Sequence, residues 1–366
     1  MEKNFGGCMP DFRILVINPG STSTKIAVFN DDKEVFKKTL NHKPEELTPF
    51  EELIDQFEFR KNIVEEALEE NNIPLDSLDA IVSRGGLLRP VPSGVFIINK
   101  KMLADLKDPT VCGRVHASNL GAFIAKSISD ERHIPCYVAD PVTVDEMEDI
   151  ARISGVPGIV RQSLFHALNI RAIARKTAKQ LNKSLDECNL IAAHIGGGVS
   201  VAAIKQGKVV DVNNALLGMG PFSPQRAGAL PLSGVIDMCF SGKYSKADVE
   251  KIFTKSSGLI GYLGTDNDIE IEKEVAQGNE KFRQILEAMA YQVSKEIGAY
   301  ATVLKGKVDA IFLTGGLAYD KYLTGWIKQR TAFLAPIYLF PGEGEMEALA
   351  EAGLRVLTGT EKTKIY

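Results

Sequence analysis

The chain has 366 residues, 45% hydrophobic and 25% charged, a composition of soluble globular protein with length for two domains of ordinary size. Its 43 Lys and Arg against 47 Asp and Glu leave a formal charge of −4, with the bases interspersed among acids. That distribution argues against a nucleic-acid or anionic-membrane binder and favours a small-molecule partner.

Met1 to Pro10 lack the apolar core of a signal peptide and precede a strong strand, so they are expected to lie outside the fold. Ile14 to Ile17, Lys25 to Asn30 and Glu34 to Leu40 read as three strands joined by tight turns. Glu51 to Glu70 carries apolar residues at helical spacing. A strand at Ala80 to Ser83, a helix around Asn119 to Ser127 and a strand at Pro135 to Ala139 follow. A helical stretch, Gln162 to Leu181, comes next, and then the order begins again: strands are expected at Leu190 to Ala193, Val199 to Lys205 and Val209 to Val212.

The repetition extends to the words of the sequence. "LDAIVSRGGL" at Leu78 is answered by "VDAIFLTGGL" at Val308, and "IPCYVADP" at Ile134 by "APIYLFPG" at Ala335. The pattern predicts an α/β fold written twice, each copy β-β-β-α-β-α-β-α, with two domains facing a central cleft. The first is expected over 11–160 and the second, nucleotide-binding, over 161–344 with an insertion from about Ala215 to Gly278. The C-terminal segment 345–366, helical at Glu345 to Leu357, is expected to pack back on the first domain.

The five cysteines, Cys8, Cys112, Cys136, Cys188 and Cys239, form no C-x-x-C pair and read as reduced thiols of a cytoplasmic protein. The run from Cys188 to Ile204 holds His194 and three glycines, which makes it a poor membrane helix. Asn18 to Lys25 packs an amide, a glycine, four hydroxyls and a lysine into eight residues. Such a turn can aim N–H groups and hydroxyls of Ser21 and Ser23 at phosphate oxygens, although a plain polar hairpin has the same composition. Its echo at His194 to Ser200, with Gly196, Gly197 and Gly198, favours two phosphate loops. There is no G-x-x-x-x-G-K-[ST] run, no H-R-D or D-F-G set and no H-E-x-x-H pair, which argues against a P-loop enzyme, a protein kinase and a zinc site.

Four segments in order, "VINPGSTSTKIAVF", "VSRGGLLRPVPSG", "AHIGGGVSVAAI" and "GMGPFSPQRAGALP", resemble the butyrate kinases of the acetate kinase family. Through the duplicated unit, the chain also resembles the wider superfamily of acetate and sugar kinases, heat-shock chaperones and actin, with actin-like ATPase, ribonuclease H-like domains. The resemblance implies ATP/ADP and Mg²⁺ as cofactors, a short-chain carboxylic acid as substrate, and a cytoplasmic homo-oligomer, at least a dimer. It implies that Asn18, Ser21, Ser23, Lys25 and His194 with its glycines meet phosphates, and that the turn at Gly315 and Gly316 meets adenosine. Asp140 matches a magnesium-linked aspartate, with Glu345 or Glu343 as its companion. His166 matches a histidine that donates to the transferred phosphoryl group, and His116 another substrate-side histidine.

Arg84 and Arg226 are the expected grips on the carboxylate and the phosphoryl group, because a guanidinium fork matches both oxyanions. Arg114 and Arg161 remain alternatives. The chain departs from the acetate kinase pattern here: no arginine stands at Ile81, and neither Pro231 nor Leu232 is basic. The rival readings are an acetate or propionate kinase, a sugar kinase, and an actin-like ATP switch without enzymatic activity.

Overall fold

The computed structural model describes residues 12–112 and 116–366. The expected extension at Met1 to Pro10, and Arg114, lie outside the described residues. The chain forms two compact units, one running to Val142 and resuming at Gly344–Tyr366, the other Thr143–Glu343.

The first unit is built on a seven-stranded sheet. Its strands are β1 (Arg13–Pro19), β2 (Ser23–Asn30), β3 (Lys33–Asn41), β4 (Ala80–Arg84), β5 (Val95–Ile97), β6 (Cys136–Ala139) and the C-terminal strand of residues Lys364–Ile365, in the order C-terminal strand-β5-β6-β4-β1-β2-β3. β1 runs parallel to β4, and β4 to β6, while β2 returns antiparallel from β1. Ile14 to Ile17 are fully buried, as expected of a central strand covered on both faces, whereas β3 at the edge alternates polar and half-buried residues. Side chains alternate between the two layers. Leu15, Ile17 and Ile81 pack with helices Phe57–Glu69 and Leu120–Arg132, while Ile14 and Val82 meet Gly353 of helix Glu345–Leu357.

The second sheet contains β7 (Asn189–Ile195), β8 (Val199–Lys205), β9 (Lys208–Val212), β10 (Ala310–Gly315) and β11 (Ile337–Pro341), ordered β11-β10-β7-β8-β9. On one face Ile191, Ala193, Ile311 and Leu313 pack with the 24-residue helix Glu280–Val303 and with helix Lys321–Thr331. On the other, Leu190, Ala192, Ala310 and Phe312 pack with helix Ala167–Gln180. The repeats have therefore each given away their last helix: the one after β6 covers the second sheet, and the one after β11 covers the first.

One expectation is corrected, and two short strands are added. The first boundary falls at Val142 rather than near residue 160, because Val144 and Met147 belong to the core beneath the second sheet and Glu148 N–H donates to Val210 O. The C-terminal segment is helical only to Leu357; Lys364–Ile365 then pairs with β5. β5 itself was not foreseen, its three residues being too short to show a period.

Candidate active site

Parallel strands deliver their C-terminal ends to one edge of a sheet, where an α/β unit binds ligands. At that edge of the first unit β1 carries Asn18 as its next-to-last residue, β4 ends on Arg84 and β6 just before Asp140. Asn18 is buried, and its Nδ2 donates to Glu345 Oε2 at 2.8 Å. Arg84 Nη1 lies 3.1 Å from Glu345 Oε1. Three expected site residues therefore form one hydrogen-bonded cluster, with Glu345 supplied by the first turn of the helix that returns from the other repeat. Lys25 stands opposite Asn18 in the hairpin register, exposed, and among the described residues no hydrogen bond or ion pair joins it to the cluster.

Asp140 has φ +37°, an uncommon conformation for a residue other than glycine. Two bonds with Gly94 hold it: Gly94 N–H donates to Oδ1 at 2.8 Å, and Asp140 N–H donates to Gly94 O at 3.0 Å. His116 is exposed, and its Nδ1 accepts from Ser118 N–H at 3.2 Å.

Ser21 and Ser23 lie in the β1–β2 turn, where Gly20 N–H donates to Ser23 O at 2.7 Å. Beneath the turn is a residue that sequence reasoning missed. Arg60 is fully buried, and its guanidinium donates to Gly20 O at 2.8 Å, Ser21 O at 2.9 Å and Ser23 O at 3.2 Å. The signal was present: Arg60 shares the buried stripe of its helix with Val64, Ala67 and Leu68. Burial holds its guanidinium down to about 10. Nearby His42, buried and facing Arg60, is held down to about 4, first by burial and then by the guanidinium charge.

In the second unit the rings of His166 and His194 stack, with centroids 3.9 Å apart and planes 12° from parallel. Ser200 faces His194 across the β7–β8 hairpin and lies 2.8 Å by Oγ from His166 Nδ1. Ser200 Oγ also accepts His166 N–H at 3.3 Å, so one hydroxyl meets both the ring and the main chain of His166. His194 Nδ1 donates to Asn169 Oδ1 at 2.8 Å, and the Asn169 amide in turn donates to Glu343 O. Ser200 and Asn169 were also missed, although Asn169 stands one helical turn from His166. Of the two candidate glutamates, Glu343 is seen binding through its main chain, while the Glu345 carboxylate meets Asn18 and Arg84.

The glycine loop follows directly. Gly196 N–H donates to Gly198 O at 3.1 Å, and Gly197 O accepts from Ser223 Oγ at 2.8 Å. A Cβ added at Gly198 would overlap the Arg226 guanidinium, whose Nη1 donates to Ala215 O at 2.5 Å. The third turn lies beside it, with Thr314 opposite His194 in the sheet register. Gly315 has φ +93° and approaches the Ile195 backbone so closely that no Cβ fits, and Gly316 opens the short helical turn that follows. Arg161, an alternative grip, is engaged elsewhere: it pairs with Asp211 at 2.7 Å and donates to Ala151 O at 2.7 Å. Among the described residues no three His, Cys, Asp or Glu come together to hold a metal ion, and no helix is long and apolar enough to cross a membrane.

The architecture and the motifs both have counterparts in known proteins. A model of the acetokinase family matches residues 157–322. Over 355 residues the chain is 49% identical to butyrate kinase 1 of Clostridium acetobutylicum, covering 97% of this chain and 99% of that protein. Butyrate kinase 2 of the same organism matches with the same identity and coverage. Among solved structures, an acetate kinase from Porphyromonas gingivalis is similar with a TM-score of 0.75 at 19% identity, covering 93% of this chain and 99% of that one. A propionate kinase from Francisella tularensis subsp. tularensis gives 0.77 at 20% identity, covering 93% and 98%. These two show the fold, and the long match at higher identity shows the kinship: the chain belongs to the acetokinase family, alongside the butyrate kinases.

Proposed function

We propose that the chain is an ATP-dependent carboxylate kinase that moves the γ-phosphoryl group of ATP reversibly onto butyrate, giving butyryl phosphate and ADP. The observation that carries the chemistry is the stacked histidine pair at the mouth of a bare glycine loop, with Ser200 holding the His166 ring at Nδ1. A carboxylate oxygen is already anionic and can attack phosphorus in line without a general base. What such a transfer needs is positioning and neutralisation of the charge spread over the phosphoryl oxygens. The His166 imidazole and the Arg226 guanidinium are suited to donate to those oxygens, and His194 to hold the His166 ring by stacking. Arg84, poised on Glu345, and Asn18 are suited to bind oxyanions, with His116 as a further substrate-side donor.

The turn of Ser21, Ser23 and Lys25 and the loop Gly196 to Gly198 are assigned to phosphate, and Gly315 and Gly316 to the nucleoside. The donor chemistry fits Mg²⁺. Asp140 and Glu345 offer hard carboxylate oxygens, and Mg²⁺ takes few protein carboxylates, keeping waters and phosphate oxygens for its other positions. When bound, Mg²⁺ would draw charge off the phosphate oxygens. A reducing, cytoplasmic setting suits Cys239, an exposed free thiol. A homo-oligomer is supported by the exposed stripe Leu232, Ile236 and Phe240.

Catalytic efficiency compared across straight-chain acids of two to six carbons tests the substrate. A maximum at four carbons supports the proposal. A maximum at two or three would make the enzyme an acetate or propionate kinase, the margin being modest because one methylene is worth about 1–3 kcal/mol.

A further inference from the structure

Arg60 is a cation buried among carbonyl dipoles rather than beside an acid. Its five N–H donors are met by Gly20 O, Ser21 O, Ser23 O, Thr24 Oγ1 and Gln56 Oε1, the last accepting from Nη2 at 2.8 Å and from Nε at 3.2 Å. Among the described residues no carboxylate pairs with it. Such an arrangement has a large desolvation cost, and one tied to a single four-residue turn calls for a reason in that turn.

The reason lies in the direction of the peptide units. In a trans peptide the C=O and the following N–H point to opposite sides. With Gly20 O and Ser21 O both turned down onto Arg60, the N–H groups of Ser21 and Thr22 point the other way, at a position where both residues are exposed. Thr22 O is fixed in turn by His42 N–H at 2.9 Å, and His42 Nε2 lies 2.9 Å from Thr24 Oγ1, which also meets Arg60. The guanidinium thus clamps successive carbonyls so that their partner N–H groups form an outward-facing pair, and it leaves a full positive charge beneath them. Successive N–H groups held in this way make an anion-binding nest.

We propose that Arg60 is a positioning residue for the nucleotide, orienting the Ser21 and Thr22 N–H groups toward a phosphate from beneath the turn without touching it. The inference rests on the assignment of this turn to phosphate made above. Its distinctive consequence is a split between substrates: the nucleotide should suffer and the carboxylate should not. Arg60→Lys keeps a buried cation but cannot reach all the carbonyls, Arg60→Met removes the charge, and Gln56→Met leaves Arg60 in place while removing two of its bonds.

The test is steady-state kinetics with ATP and butyrate varied separately, alongside circular dichroism and thermal melting of each variant. The expected result for Arg60→Lys is a rise in KM for ATP of about tenfold, the weight of one charge-assisted hydrogen bond, with KM for butyrate unchanged. Arg60→Met should show a larger rise and Gln56→Met a smaller one in the same direction. A folded Arg60→Lys with wild-type KM for ATP, or with both KM values raised alike, overturns the proposal. Should the Arg60 variants not fold, Gln56→Met decides alone, and a wild-type KM for ATP there overturns it. A wild-type protein that forms no acyl phosphate would instead overturn the parent reading, so the two failures are distinguishable.

Discussion

Replacing Gly198 by alanine tests the placement of Arg226. A methyl built there falls within the guanidinium, so ordinary contact is regained only if that group moves by roughly 1.5 Å. It is not free to drift, because Nη1 is bonded to Ala215 O and the Arg226 main chain to Ser223 Oγ. A misplacement of about 1 Å at a group that grips reacting oxygens lowers turnover by about 10²-fold. Overpacking of this kind costs about 1–3 kcal/mol. In a unit of some two hundred residues that lowers the melting temperature by roughly 2–4 °C per kcal/mol. The assay is kcat and both KM values, measured below the variant's melting transition. A folded Gly198→Ala with wild-type kcat would refute the role given to Arg226 in charge stabilisation.

His166→Ala should lower kcat by about 10²-fold or more, as for loss of one preorganised donor, with little change in KM for ATP; single-turnover kinetics should place the loss in the chemical step. His42 gives a stability prediction with a definite sign. Folded His42 is held down to about 4 while the unfolded chain titrates near 6.5, so the unfolded state binds more protons between these values. Stability should therefore fall as pH drops from 6.5 to 4, by about 3 kcal/mol from this group, and His42→Gln should flatten that slope in urea titrations. Gly353→Val should destabilise the first unit by about 1–3 kcal/mol, because a Cβ there lies 2.7 Å from Val82 Cγ2 and 3.3 Å from Ile14 Cγ2; thermal melting reads it.

Much of the fold was legible because a central strand buried on both faces writes itself as an unbroken apolar run. Ile14 to Ile17, Leu190 to Ala193 and Ala310 to Leu313 are of this kind, and their repeated order revealed the duplication. The glycine turns were legible for a related reason, since Gly198 and Gly315 stand where no Cβ fits. The exchange of last helices was only half visible. Helix Glu345–Leu357 was expected on the first sheet, but nothing local in Ala167–Gln180 says which sheet its apolar face will meet.

At the site, residue types were legible and partnerships were not. The sequence names His166 and His194 but cannot stack them, nor show that Ser200 and Asn169 hold their rings, because those contacts span 25 to 34 residues. The boundary near 160 failed for a similar reason: residues 143–160 carry little periodicity, and their allegiance is decided by packing beneath the second sheet. Arg60 is the instructive miss. An arginine on an apolar helical stripe reads as a flaw in the pattern until its carbonyl partners on the hairpin are seen.

The most direct test of the central claim is to incubate the protein with ATP, Mg²⁺, butyrate and hydroxylamine, which traps acyl phosphates as hydroxamates. The account predicts butyrohydroxamate formed in step with ADP and dependent on butyrate. ADP release without hydroxamate from any straight-chain acid of two to six carbons would contradict it, pointing instead to an ATP switch or a kinase with a hydroxyl acceptor.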